Sequence, residues 1–355
     1  MLWDALLGHQ QQKGWFETAL ENGRLASSFL FVGPDGIGKR TFAVLLAKGL
    51  LCRQSPPQSL AACGRCEDCV QVDAGTHPDL LTVAKPADKA NIPIELLIGE
   101  RDKRMRAGLC HDISLRPYSG RRKIAIIDDA DTFNIEGANC LLKTLEEPPL
   151  GSLLILLGTS LQRQLPTIRS RCQAILFKPL EVEQLQTLLL RVELADSDAQ
   201  AYNLAVQSGG SLAEARLLLD PELADFRGQL LEDLGKPQLP IIELAKRCGG
   251  IVDVAGKDAR VKRERLKLIF RIAANFFREL SLCLSSHAPA GQAGREPDEL
   301  LRAVERGRGA WKSGPRGATL AWNRCLLATE QVDRNVNQAT LLEAWAADIA
   351  RLGGY

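Results

Sequence analysis

The chain has 355 residues, 45% hydrophobic and 25% charged, the mix of an ordinary globular protein and not of a disordered or fibrous one. Its 45 basic and 43 acidic side chains leave a net charge of only +2, which excludes a uniformly basic nucleic-acid coat but not a local basic patch. At roughly 100–200 residues per domain, two or three domains are expected.

The opening Met1-Leu2-Trp3-Asp4 lacks the basic and apolar regions of a signal peptide. No stretch approaches the ~20 apolar residues of a membrane span. A cytoplasmic chain with no membrane partner is expected, in a compartment where thiols stay reduced. The ten cysteines therefore need an explanation other than disulfides.

The first strong pattern is the apolar run Ser28-Phe29-Leu30-Phe31-Val32. Gly33-Pro34-Asp35-Gly36-Ile37-Gly38-Lys39-Arg40-Thr41 follows, and Phe42, Leu45, Leu46 and Leu50 then repeat at helical spacing. Strand, glycine-rich loop, lysine and helix is the context of a phosphate-binding loop. Gly33, Gly36 and Gly38 let backbone N–H groups turn toward phosphate oxygens, and the helix N-terminus adds its dipole. Lys39 is placed to reach the β- and γ-phosphates of ATP. The next position should carry the Ser or Thr hydroxyl that ligates Mg2+, yet it is Arg40. Thr41 comes one residue later, rotated by about 100° around the helix. Nucleotide binding is expected, with magnesium-dependent hydrolysis impaired.

Cys52, Cys63, Cys66 and Cys69 form a C-x10-C-x2-C-x2-C cluster. Two-residue gaps let successive thiolates converge on one tetrahedral ion, and the loop from Gln54 to Ser59 brings Cys52 back. With no histidine inside the cluster, the natural reading is a closed structural Zn2+ site, although an iron–sulfur cluster also fits four thiolates. The other six cysteines read as small buried side chains.

Further on, Lys123-Ile124-Ala125-Ile126-Ile127 reads as a strand buried on both faces, ending in Asp128-Asp129. Asp128 would hold magnesium. Asp129 stands where a general base would normally be a glutamate, one methylene longer. Leu153 to Leu157 make a third strand, which ends at Thr159 and Ser160, either of which is in reach of a γ-phosphate. Two basic runs, 101–106 and 260–267, are interrupted by acids and read as solvated helix faces.

From 180 onward the pattern is helical. Gly209-Gly210-Ser211 breaks it, with Ser211 as a helix N-cap. Leu266, Ile269, Phe270, Ala273, Phe276, Phe277 and Leu280 form one apolar face; Leu341, Leu342, Trp345, Ile349 and Leu352 form another. Residues 285–297 read as a loop, and 306–309 with 312–316 as a second one.

Several of these stretches resemble bacterial clamp-loader AAA+ ATPases, the family of the DNA polymerase III gamma/tau and delta-prime subunits. The residues that carry the resemblance are Gly8-His9-Gln10, the four-cysteine insert, 138–149 (Ala138-Asn139-Cys140-Leu141 through Leu145-Glu146-Glu147-Pro148-Pro149), Ser170-Arg171-Cys172 and Gly210-Ser211-Leu212. It is good over about residues 1–220 and returns at Asn335-Val336-Asn337. It implies three parts: an α/β P-loop AAA+ domain with its zinc module over 1–178, a helical lid over 179–222, and an all-α collar and oligomerisation domain over 223–355. It also implies that Arg171 acts in trans, on nucleotide held by a neighbouring subunit. Its partners would be gamma/tau and delta subunits in a hetero-pentamer, and through them the sliding clamp and primed DNA. Arg40, Asp129 and Ala213, the last at the family's sensor-arginine position, depart together from the hydrolytic pattern, while Ser170-Arg171-Cys172 is intact. That combination resembles the delta-prime branch, with little or no ATPase activity of its own. The alternative is a gamma-like motor that itself binds and hydrolyses ATP.

Overall fold

The computed structural model of the protein describes residues 2–86, 89, 91–119, 121–256, 259–286, 299–334 and 336–354. The chain divides into two compact units, Met1–Leu218 and Leu219–Tyr355.

The first unit is built on five strands: β1 (Ser28–Val32), β2 (Leu80–Val83), β3 (Lys123–Ile127), β4 (Ser152–Gly158) and β5 (Gln173–Leu176). They pair in the order β2-β3-β4-β1-β5, every pair parallel. The three central strands are buried throughout. A parallel sheet buried on both faces needs helices on both, and alternate residues of each strand serve opposite faces. On one side Phe29 and Phe31 of β1 and Ile155 of β4 pack with Phe16 of α1 (Gln10–Glu21) and Phe42 and Leu46 of α2 (Lys39–Leu51). Leu30 of β1 and Leu154 and Leu156 of β4 face the other way. There they meet α4 (Ile94–Ile98), α5 (Leu109–Asp112), α6 (Ile135–Glu146) and α7 (Pro166–Arg169).

The expected strands are β1, β3 and β4. The edge strands β2 and β5 were not anticipated: each has four residues, and β5 is largely exposed. A short helix, α3 (Glu67–Ala74), begins inside the cysteine cluster. The unit closes with α8 (Val182–Arg191), α9 (Asp198–Gln207) and α10 (Leu212–Leu218). The break before α10 falls at Ser211 as expected, its Oγ accepting the Glu214 N–H at 3.3 Å.

The second unit is helical: α11 (Pro221–Leu234), α12 (Ile241–Asp253), α13 (Ala259–Ser286), α14 (Glu299–Ala310), α15 (Gly314–Asp333) and α16 (Gln338–Gly353). The apolar face anticipated along 266–280 is buried. Trp345 of α16 is fully buried, edge-on to Phe270, and donates its indole N–H to Cys325 Sγ at 3.4 Å. No described helix is long and apolar enough to cross a membrane.

Three local expectations are corrected. Residues 306–309 are not a loop but lie inside α14. Gly307 is there for close packing, since a Cβ would come within 3.0 Å of Phe276 Cζ. The run 101–106 is exposed, but it forms a single 3-10 turn, Arg101–Lys103, instead of a helix face. Of the loop expected at 285–297, residues 285 and 286 end α13, and 287–297 lie outside the described residues, as does Asn335.

Phe42 joins the phosphate-loop helix to the sheet through ring contacts with Trp3, Phe16, Phe31 and Phe177 at 5.1–5.8 Å. Phe42→Ala removes the centre of this cluster. A loss of about 3–5 kcal/mol is expected in the denaturant transition of the first unit.

Candidate functional site

β1, β3 and β4 end along one edge of the sheet, so their following residues converge there. After β1, the loop 33–38 turns through Gly36 and Gly38, at φ +74° and +101°, the left-handed region that glycine enters without strain. α2 then begins at Lys39. The ammonium of Lys39 lies inside the loop, donating to the carbonyls of Gly33 at 2.5 Å and Pro34 at 2.6 Å. Burial pushes it below its usual pKa, against the opposing pull of the Asp35, Asp131 and Asp128 carboxylates. From the N-terminal side, His9 Nε2 lies 2.8 Å from the Ile37 carbonyl, with its ring edge-on to Phe177. From the C-terminal side, Ser211 Oγ donates to the Asp35 carbonyl at 2.9 Å and the Leu212 N–H to that of Gly36 at 3.1 Å. A Cβ on Gly36 would fall 2.4 Å from the Cβ of Ala213. The position expected to lack the sensor arginine therefore sits directly on the crest of the loop. Arg216, one turn further along α10, is exposed.

Arg40 and Asp128 meet. Nη1 of Arg40 donates to Asp128 Oδ2 at 2.6 Å, linking the first turn of α2 to the end of β3. This pair occupies the two positions that magnesium would require. Mg2+ takes oxygen ligands in octahedral geometry, and a guanidinium has only N–H donors. One expected ligand is thus missing, and an oxygen of the other is covered. The residues present do not fit magnesium. Thr41 is half-buried in α2.

Asp129 follows at φ +55°, a left-handed conformation that aspartate tolerates better than most residues. It opens a 3-10 turn, Ala130–Thr132, whose Thr132 N–H and hydroxyl both donate to its backbone carbonyl. Sequence reasoning missed the next acid. Asp131 Oδ2 accepts from Thr159 through its N–H at 2.7 Å and its hydroxyl at 2.5 Å, while Oδ1 accepts from Gln164 Nε2. The hydroxyl proton of Thr159 is therefore committed to Asp131. The acid-rich string Asp128-Asp129-Ala130-Asp131 was the available signal, but nothing local pairs it with residues some 30 positions away.

Arg171 lies between α7 and β5, 31% exposed. Its Nε donates to Glu146 Oε1 at 2.7 Å, its Nη2 to the same oxygen, and its Nη1 to the Thr167 carbonyl at 2.9 Å and Ser170 Oγ at 3.1 Å. All three nitrogens are held at the surface of the first unit. Nothing in the sequence around Glu146 marks it as the partner of Arg171, 25 positions away.

The four cysteines converge. Their sulfurs lie within 4.8 Å of one another, with Cys52–Cys66 at 3.8 Å and Cys63–Cys69 at 4.0 Å. Tetrahedral zinc–thiolate bonds of ~2.3 Å place sulfurs ~3.8 Å apart, so the set fits zinc. Burial opposes a charge on Cys52. The Cys63 N–H and the Ser55 hydroxyl, both 3.4 Å from its sulfur, nevertheless help to hold its pKa down to about 6. Around the cluster, Arg53 pairs with buried Asp68 at 2.7 Å, and Arg121 donates to the Ser55 carbonyl at 2.8 Å.

A parallel sheet with a glycine loop after β1 and acids after β3 defines a P-loop α/β domain. Residues 8–181 match the family described as "DNA polymerase III, delta subunit", and the segment is delta-prime-like. It is similar to DNA polymerase III subunit delta' of Pseudomonas aeruginosa, 36% identical over 214 residues, covering 59% of this chain and 61% of that one. With subunit delta' of Bacillus subtilis it is 31% identical over 215 residues, 60% of each chain. With subunit tau of Escherichia coli it is 34% identical over 221 residues, 60% of this chain and 32% of that one. The chain thus spans about 60% of the delta' relatives it matches.

Asp131→Ala leaves the Thr159 and Gln164 donors without their acceptor. A loss of about 1–3 kcal/mol is expected in urea unfolding, with faster hydrogen exchange at the Thr159 amide.

Proposed function

We propose that the chain serves as a delta-prime-type subunit of a bacterial replicative clamp loader, in the cytoplasm. It acts in a hetero-pentamer with gamma/tau and delta subunits that places a sliding clamp on primed DNA. Its own part is to present Arg171 to ATP held by the neighbouring subunit. The observation that carries this reading is a contrast within one domain. Arg171 stands at the surface with all three nitrogens oriented by Glu146, Thr167 and Ser170, whereas the P-loop of the same chain has Arg40 bonded to Asp128. The arginine is thus prepared to stabilise charge on a transferring phosphoryl group outside the chain, while the residues that would support hydrolysis within it are diverted. Residues 179–222 act as the lid, and 223–355 supply the collar contacts between subunits.

The gamma-like motor reading draws on Lys39 and on the likeness to tau. Arg40 and Ala213 count against it, because neither supplies the group hydrolysis needs at its position. The deciding experiment is DNA- and clamp-stimulated ATP turnover in an assembly reconstituted from the subunits of one organism. Arg171→Ala is expected to lower turnover at the adjoining site by about 10³-fold, and Lys39→Ala to leave it nearly unchanged. A damaging Lys39→Ala, with turnover by the isolated chain, would instead identify a motor.

Cys52, Cys63, Cys66 and Cys69 hold a structural zinc ion. Four protein thiolates fill a tetrahedral shell and leave no open position for chemistry. Elemental analysis is expected to find a single zinc per chain, lost in Cys66→Ser. Chelation should lower the melting temperature of the first unit, because metal binding energy is also folding energy.

A further inference from the structure

We propose that the Arg40 guanidinium takes the place of magnesium, making the P-loop a site for nucleoside polyphosphates free of divalent cation. This goes beyond the stator reading, since it concerns what the chain's own loop binds and not what Arg171 does to a neighbour.

Four observations carry it. Arg40 is the residue directly after the loop lysine, so its side chain leaves α2 where the metal-binding hydroxyl would otherwise stand. Its Nη1 lies 2.6 Å from Asp128 Oδ2, the carboxylate that would otherwise face the metal. The guanidinium is 57% exposed, so it presents further N–H donors toward solvent. The loop itself keeps the parts that meet phosphate: two left-handed glycines, the N-terminus of a 13-residue helix and a buried lysine.

The charge balance follows from these positions. In a magnesium-dependent site the cation bridges the carboxylate to the phosphates and offsets their charge. Here a guanidinium fixed to the chain can make the same bridge, accepted by Asp128 on one edge and offering its remaining N–H groups to phosphate oxygens on another. Arginine is suited to this because its fork matches phosphate geometry and it never loses its charge at physiological pH. Bringing Mg2+ to Asp128 Oδ2 would require breaking the ion pair, and bringing it to either oxygen would set a dication beside a guanidinium. Arg40 cannot perform the metal's other task. Having no lone pair, it binds no water molecule as a ligand and lowers no water pKa. The result is a site that holds polyphosphate and does not turn it over.

The test is equilibrium binding of ATP to the full-length chain by calorimetry, once with excess Mg2+ and once with EDTA. Wild type is expected to bind under both conditions with dissociation constants within about threefold. Arg40→Ser restores a hydroxyl and frees Asp128, and its binding should become stronger with Mg2+ by about tenfold or more. If Arg40→Ser fails to fold, as judged by circular dichroism, Arg40→Lys replaces it: the cation is retained, and binding should remain indifferent to magnesium. Wild-type binding that weakens about tenfold on removing Mg2+ overturns the proposal, as does an absence of ATP binding under both conditions. A folded Arg40→Ser as indifferent to magnesium as wild type also overturns it. None of these outcomes touches the role of Arg171, which is read as turnover in the assembly.

Discussion

A parallel sheet with both faces buried has only its ends on which to place chemistry, and this constraint organises the first unit. β1, β3 and β4 are covered by helices on either side, so polar groups inside them would be costly. The charged and polar residues of the site are therefore gathered where the strands stop. Lys39 and Arg40 come after β1, Asp128, Asp129 and Asp131 after β3, and Thr159 after β4. With β4 lying between β1 and β3, the basic and acidic groups approach from two sides of one strand end. The pairs Arg40–Asp128 and Thr159–Asp131 follow from that strand order.

The same edge shows how a phosphate-loop fold can be retained while its chemistry is redistributed. Three of the polar groups expected to serve a phosphate or a metal have partners from the protein itself. Lys39 is bonded to loop carbonyls, Asp128 to Arg40 and Thr159 to Asp131. Arg171 is also bonded, but at the surface and to a carboxylate that is itself 48% exposed. A guanidinium held by an exposed acid can exchange that acid for a phosphate.

Legibility in the sequence depended on how local each signal was. The P-loop, the central strands β1, β3 and β4, the cysteine cluster and the Ser211 cap each reside in one short stretch of consecutive residues. Their meaning follows from spacing alone. β2 and β5 were missed because four residues at a sheet edge carry too little apolar pattern to stand out. The bonds of Arg40 to Asp128 and of Gln164 to Asp131 join residues from different strand ends, and no spacing rule reaches that far. The glycine at 307 misled because a loop and a close helix contact ask for the same residue, and only the position of Phe276 tells them apart.

The contact between Gly36 and Ala213 also has a mechanical meaning. Two hydrogen bonds and a Cβ-width approach fasten the crest of the phosphate loop to the first turn of α10. The loop crest and that turn therefore move as one body. A push on the helical segment, from whatever source, is felt at Asp35 and Gly36 as a change in loop shape, and a ligand that reshapes the loop pulls on the helix in return. The fastening acts as a stiff linkage that transmits displacement in both directions and needs no chemical event to drive it.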